Sequence, residues 1–186
     1  MTITLADIRK HESPQSKDSR YSPEDNQVSF ELSLMSSIER GEIFEAIIAE
    51  RIQKHTGYQA TQTVHRAHWD ITVNLDDRPV RIEVKSSLMV KGEWNKHKRV
   101  QFLLQNIKPD NFDYLFIVLI KKNDVMIKWC TADDMQLYFD DNLTNEQTNG
   151  YNVSIVENRQ RVKSSALDLD MFYDLEDFPV NPKDFA

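Results

Sequence analysis

Cysteine is almost missing from this sequence, glycine is scarce, and no apolar run is long. One Cys, Cys130, in 186 residues leaves no internal disulfide to form, which fits a reducing, cytoplasmic setting. Between Trp129 and Thr131, at the end of a strand, it reads as a small core hydrophobe. Four glycines leave no material for a glycine-rich phosphate loop, so kinase-like and nicotinamide-binding classes have no foothold. The longest apolar run, Tyr114 to Ile120, is too short to cross a membrane and reads as a buried strand. Met1-Thr2-Ile3-Thr4 shows no basic stretch leading into an apolar one, so no secretory leader is expected. There is no internal repeat and no coiled-coil heptad.

What is present is ordinary globular material. Hydrophobic content of 40% and charged content of 28% support one well-buried core, and the length does not support two comfortable ones. A net charge of −7 argues, as a sum, against a polyanionic partner. Its distribution argues differently. Lys85, Lys91, Lys96, Lys98 and Arg99 stand against Glu93 alone, whereas Asp168, Asp170, Asp174, Glu176, Asp177 and Asp184 stand against Lys183 alone.

Residues 1–27 are polar, with Ser-Pro at 13–14 and 22–23, and read as a poorly ordered arm with at most a turn or two of helix in Ile3 to Lys10. Leu34, Ile38, Phe44, Ile47, Ile48 and Ile52 recur at helical spacing, predicting one helix from about Ser33 to Thr56, stopped by Gly57. Tyr58 to His65 alternates as a strand. Residues 94–107 mix patterns and suggest a second helix or an irregular crossover, broken by Pro109-Asp110-Asn111. Phe112 to Ile120 predicts a central strand covered on both faces. Lys121 to Asp124 turns into a strand from Val125 to Trp129, and Thr131 caps a helix running to about Phe139. Asp133 and Asp134 are then explained by that helix's N-terminus rather than by catalysis. Asp140 to Gly150 reads as a loop, Tyr151 to Val156 as a strand, and residues 168–186 as an acidic, aromatic tail beyond a domain at 28–167. The expected fold is α/β: a mixed central sheet of about five strands flanked by helices.

Chemistry concentrates in one place. Trp69-Asp70-Ile71-Thr72-Val73 and Val80-Arg81-Ile82-Glu83-Val84-Lys85 are both β-branched and apolar, and Asp76-Asp77-Arg78-Pro79 between them reads as a hairpin turn. On a strand, i and i+2 share a face, so Glu83 and Lys85 stand side by side, and Asp70 at the start of the neighbouring strand can approach them. Glu83-Val84-Lys85 is the one place where an acidic residue stands two before a lysine. Two carboxylates and an ammonium suit a divalent cation and phosphodiester hydrolysis. The plain alternative is a solvated Glu–Lys pair on an exposed strand. His65 and His68 lack the second ligand pair a zinc site needs and read as surface histidines.

The order of a helix with Glu, a strand with Asp and a strand with Glu-x-Lys resembles the PD-(D/E)XK nuclease superfamily, which includes most type II restriction endonucleases. The resemblance covers roughly Ser33 to Phe139 and rests on short motifs, with Trp69 where the pattern has Pro. It implies an αβββαβ core with Asp70 and Glu83 as metal ligands, the Val84 carbonyl as a third, and Lys85 as the cation that orients the water. Gly41-Glu42-Ile43-Phe44-Glu45 is similar to the family's first-helix pattern and implies Glu45 as an accessory carboxylate. By the same resemblance the cofactor is Mg²⁺, with Mn²⁺ substituting, the products carry 5′-phosphates, and the partner is double-stranded DNA cut by a homodimer. Lys91, Lys96, Lys98 and Arg99 are then the expected backbone contacts, and Gln101 and Gln105 the candidates for reading bases. A structure-specific nuclease or an inert binding module on the same fold are the alternatives.

Overall fold

A computed structural model describes residues 3–4, 8, 27–63, 67–75, 78–94, 97–141, 150–156 and 166–181. Among the described residues three helices, α1 (Gln27–Leu34), α2 (Ser37–Thr56) and α3 (Ala132–Asp141), flank two sheets. The larger has the order β1-β2-β3-β6-β7-β10, built from β1 (Ala60–Gln62), β2 (Ile71–Asn74), β3 (Pro79–Leu88), β6 (Tyr114–Ile120), β7 (Val125–Thr131) and β10 (Tyr173–Asp174). The smaller has the order β4-β5-β8-β9, from β4 (Val90–Trp94), β5 (His97–Ile107), β8 (Tyr151–Val156) and β9 (Ala166–Asp168). No helix among the described residues is long and apolar enough to cross a membrane.

The expected mixed α/β sheet is present, but its boundaries differ instructively. The single helix expected from Ser33 to Thr56 is two helices. Ser36 caps α2 in a reciprocal box: its hydroxyl accepts from the Glu39 N–H (3.2 Å) and the Glu39 carboxylate accepts from the Ser36 N–H (2.7 Å). Buried Arg40 donates to the carbonyls of Leu32 and Met35 (3.3 and 2.5 Å), satisfying the chain end of α1. Gly57 ends α2 as expected, at φ 79°, its N–H bonding the Gln53 carbonyl. Thr131 likewise caps α3, its hydroxyl accepting from the Asp134 N–H at 3.0 Å.

Trp94 and His97–Ile107 are not helical. They end β4 and form β5, and a bulge explains why their pattern misleads: the pairing of β5 with β8 shifts between Leu104 and Ile107, and Asn106 sits at φ 59°. Phe102 and Leu104 are buried at even spacing and Ile107 is buried at odd, so the period of two is broken by one extra residue. The crossover joining the parallel strands β3 and β6 therefore runs through a β-hairpin and the short 3-10 turn Pro109–Asn111.

β6 lies at the centre of the molecule. Tyr114, Phe116, Val118 and Ile120 enter one core with α2, while Leu115, Ile117 and Leu119 enter a second with the smaller sheet and α3. That double burial is why its sequence is continuously apolar. Its register with β3 is pinned by Asp113, whose carboxylate accepts from the Arg81 backbone N–H (2.7 Å) and guanidinium (3.0 Å), while its own N–H returns to the Arg81 carbonyl (2.8 Å).

Segments that composition set apart join the cores. Ile3 and Ile8, from the polar arm, are buried beside α2's partners. From the acidic tail, Leu169 and Phe172 enter the second core and Leu175 and Phe178 the first. Phe178 packs its ring against Tyr114, Phe116 and Trp129, and the Trp129 indole N–H donates to the Asp174 carbonyl (2.8 Å).

Candidate functional site

The site forms where β2 stops and β3 continues. β3 spans ten residues and β2 only four, pairing Ile71 with Ile82 through Asn74 with Pro79. Past Ile82, whose carbonyl still accepts from the Asp70 N–H (2.9 Å), β3 has no β2 residue beside it. A strand's alternate residues turn their backbone groups to the same edge, so Val84 presents its N–H and carbonyl to this opening. Asp70 fills part of it: its Oδ2 accepts from the Val84 N–H at 2.8 Å. Asp70 is itself held from behind, since its carbonyl accepts from the Thr63 N–H (2.9 Å) and the Thr63 hydroxyl donates to the Trp69 carbonyl. Trp69 in turn anchors the turn, its indole N–H donating to the Thr72 hydroxyl (2.9 Å) with the Arg81 guanidinium 6.0 Å above the ring.

Along β3, Val80, Ile82 and Val84 face the α2 core, leaving Glu83 and Lys85 on the other face of the strand. They form an ion pair there, with the Glu83 side chain 11% and the Lys85 side chain 25% exposed. Glu45 arrives from α2, around the sheet edge. The Gln62 side-chain amide at the end of β1 donates to the Glu45 carboxylate (3.3 Å) and to the Glu42 carbonyl (3.1 Å), tying helix to strand.

The electrostatics are those of crowded acids. Burial and the Asp70 charge, with smaller contributions from Glu42 and Glu83, push the Glu45 carboxyl up to about 7, against the Gln62 hydrogen bond. Burial raises Asp70, opposed by the Val84 N–H and the Lys85 charge. Burial also raises Glu83, with Asp70 adding to the rise while Lys85 and Lys108 oppose it. All three are carboxylates for which an added cation would favour the ionised form. Among the described residues, no three His, Cys, Asp or Glu side chains are grouped to hold a metal ion. What this edge offers is two carboxylates, Asp70 and Glu83, and the backbone carbonyl of Val84, all hard oxygen donors of the kind Mg²⁺ or Mn²⁺ accepts.

The structure thus brings Glu45, Asp70, Glu83 and Lys85 into one neighbourhood. Lys91, Lys98, Arg99 and Gln101 have strand backbone in the β4–β5 hairpin, but their side chains, and all of Lys96 and His65, lie outside the described residues. Gln105 is exposed beside the bulge. A polar cleft of about 290 Å³ adjoins Glu83 and is lined by His68, Asn106, Lys108 and Asn111. Of these only His68 was weighed as a ligand from the sequence. Asn106 sat at the end of a stretch that read as a second helix or an irregular crossover and Asn111 in the break after it, and the contacts that gather them are not local.

No protein-family model matches the chain, and no curated protein matches it. Among solved structures, the chain is similar to that of a bacterial homing endonuclease, at 16% identity and a TM-score of 0.43, over 69% of this chain and 84% of the other.

Proposed function

We propose that this protein is a Mg²⁺-dependent endonuclease that hydrolyses phosphodiester bonds in double-stranded DNA, of restriction type. The observation that carries this reading is the meeting of Asp70 and Glu83 at the open edge of β3 beside the paired Lys85, with Glu45 near enough for both charges to act on it and all three raised above their ordinary pKa. A structural ion pair needs one acid; here Asp70 joins Glu83 at the edge and Glu45 lies within reach of their charges, which leaves negative charge in excess. The arrangement fits the PD-(D/E)XK pattern of helix Glu, strand Asp and strand Glu-x-Lys. Asp70, Glu83 and the Val84 carbonyl would hold the ion. When bound, a divalent cation supplies the positive charge that screens the phosphate and stabilises the leaving oxygen.

The chain's own groups do the rest. The Val84 N–H fixes the orientation of the Asp70 carboxylate, so its position does not depend on the ion. Glu83 holds the Lys85 ammonium at the mouth of the site, where it can orient an attacking water in line with the scissile bond. Glu45 is the group best matched to accept a proton near neutral pH. The basic β4–β5 segment would lie along the duplex, and cutting both strands of a palindrome calls for two copies related by a two-fold axis. The test is a plasmid digest with Mg²⁺, with Mn²⁺ and with chelator. Discrete metal-dependent bands support a restriction-type enzyme, cutting confined to branched substrates would make it structure-specific, and binding without cutting would make it an inert module.

A further inference from the structure

We infer that the cleft beside Glu83 seats a backbone phosphate flanking the one that is cut, held by Lys108 with the amides of Asn106 and Asn111. This inference rests on the endonuclease reading and names how the same site grips its substrate. The cleft's walls come from three separated parts of the chain: Glu83 from β3, His68 from the segment before β2, and Asn106, Lys108 and Asn111 from the end of β5 and the turn into β6. Lys108 carries the positive charge among these lining residues, and it lies close enough to act on the Glu83 carboxylate. Asparagine amides can donate as well as accept, so Asn106, Asn111 and Lys108 give the cleft three groups able to donate beside the Glu83 carboxylate. A phosphate running past the metal ligands meets these donors; a cationic ligand would find Lys108 opposing it.

The position of these donors is built in. The bulge in β5 turns Asn106 into the left-handed region at φ 59°, and its N–H is fixed by the Asn152 side-chain oxygen at 3.2 Å. Bulges beside sites re-aim side chains in this way. Gly150, at φ 101°, lies so close that an added Cβ would stand 2.6 Å from the Ile107 carbonyl oxygen and 2.8 Å from Lys108 Cγ. The start of the Lys108 side chain therefore lies against Gly150, where any larger residue would displace it.

The experiment measures binding to two unrelated 30-base-pair duplexes in metal-free buffer over a range of salt, together with Mg²⁺-dependent plasmid cutting. Lys108→Ala is expected to lower the slope of log affinity against log salt by about one unit on both duplexes alike, the loss of one phosphate contact. It should raise KM with little change in kcat, and Lys108→Arg should restore the slope. Asn106→Gly, which keeps the left-handed backbone and removes the amide, should weaken binding on both duplexes by a smaller factor. An unchanged slope in Lys108→Ala, or a loss confined to one duplex, overturns the inference. The two readings separate cleanly: a lost unit of slope in a protein that never cuts keeps the cleft and sinks the nuclease, whereas Mg²⁺-dependent cutting with an unchanged slope does the reverse.

Discussion

β3 and β6 run parallel in register, Ile82 beside Tyr114 through Leu88 beside Ile120, yet they are composed on opposite principles. Every residue of β6 is buried and apolar, on both faces. β3 matches it on one face with Val80, Ile82 and Val84, but its other face reads Glu83, Lys85 and Ser87. Ser87 is explained by structure: its hydroxyl accepts from the Leu103 N–H (3.0 Å), joining the two sheets. The Glu83–Lys85 pair has no such explanation. Withdrawing an acid and an ammonium from water costs more than a pair of hydrophobes at the same positions would, and replacing buried pairs by apolar residues is often neutral or stabilising. The proposed endonuclease site accounts for this difference between neighbouring strands under the same folding pressure.

The largest expected effect comes from breaking the polar face. Asp70→Asn keeps an oxygen for the Val84 N–H and removes the charge; Glu83→Gln does the same on β3. Either should reduce Mg²⁺-dependent cutting to background while the protein stays folded, with a melting temperature in chelator that holds or rises as like-charge repulsion is relieved. If Asp70→Asn cuts within a few-fold of the parent, the site is elsewhere.

Next comes the apolar strand. Phe116→Ala in β6 should cost about 3–5 kcal/mol of stability, the range for emptying a buried aromatic site, read by denaturant titration. A loss below about 1 kcal/mol would mean that β6 is not the centre of the core. Smaller again is the loss of the ammonium. Lys85→Ala should slow cutting by about 10²-fold, and Lys85→Arg should fail to rescue it, since a planar fork cannot replace a compact charge beside a water. Full rescue by arginine would reduce Lys85 to a generic phosphate contact.

The smallest effect sharpens the comparison through pH. Glu45 titrates near 7 in the folded protein against an ordinary 4.5, so between those values the folded state holds more protons than the unfolded one. Its contribution to stability therefore falls as pH rises from about 4.5 to 7, with no penalty below that window and the full penalty above it. In chelator, Glu45→Gln should melt higher than the parent at pH 8 and no higher at pH 4. A difference that is flat with pH would place Glu45 outside the acidic cluster.

Much of this was legible in local sequence because it depends on local geometry. The period of two set Glu83 and Lys85 on one face of β3, the continuous apolar run marked β6 as the central strand, and Thr131 and Gly57 marked helix ends through backbone bonds that close within a turn. The Ser36–Glu39 box was equally local, and a helical pattern running through it concealed the break. The remainder was decided by tertiary structure, because it depends on pairings between distant parts of the chain. β5 is a strand because it finds β8 some fifty residues on, and the bulge there erases the alternation that would have announced it. The return from β5 through the 3-10 turn to β6 brings Asn106, Lys108 and Asn111 to the cleft beside Glu83. The polar arm and acidic tail gave Ile3, Ile8, Leu175 and Phe178 to the core, since average composition does not register a few well-placed apolar side chains. The sequence named the acids, but only the fold sets Glu45 beside Asp70 and Glu83, for the reason that a helix and two strands meet there at one open edge.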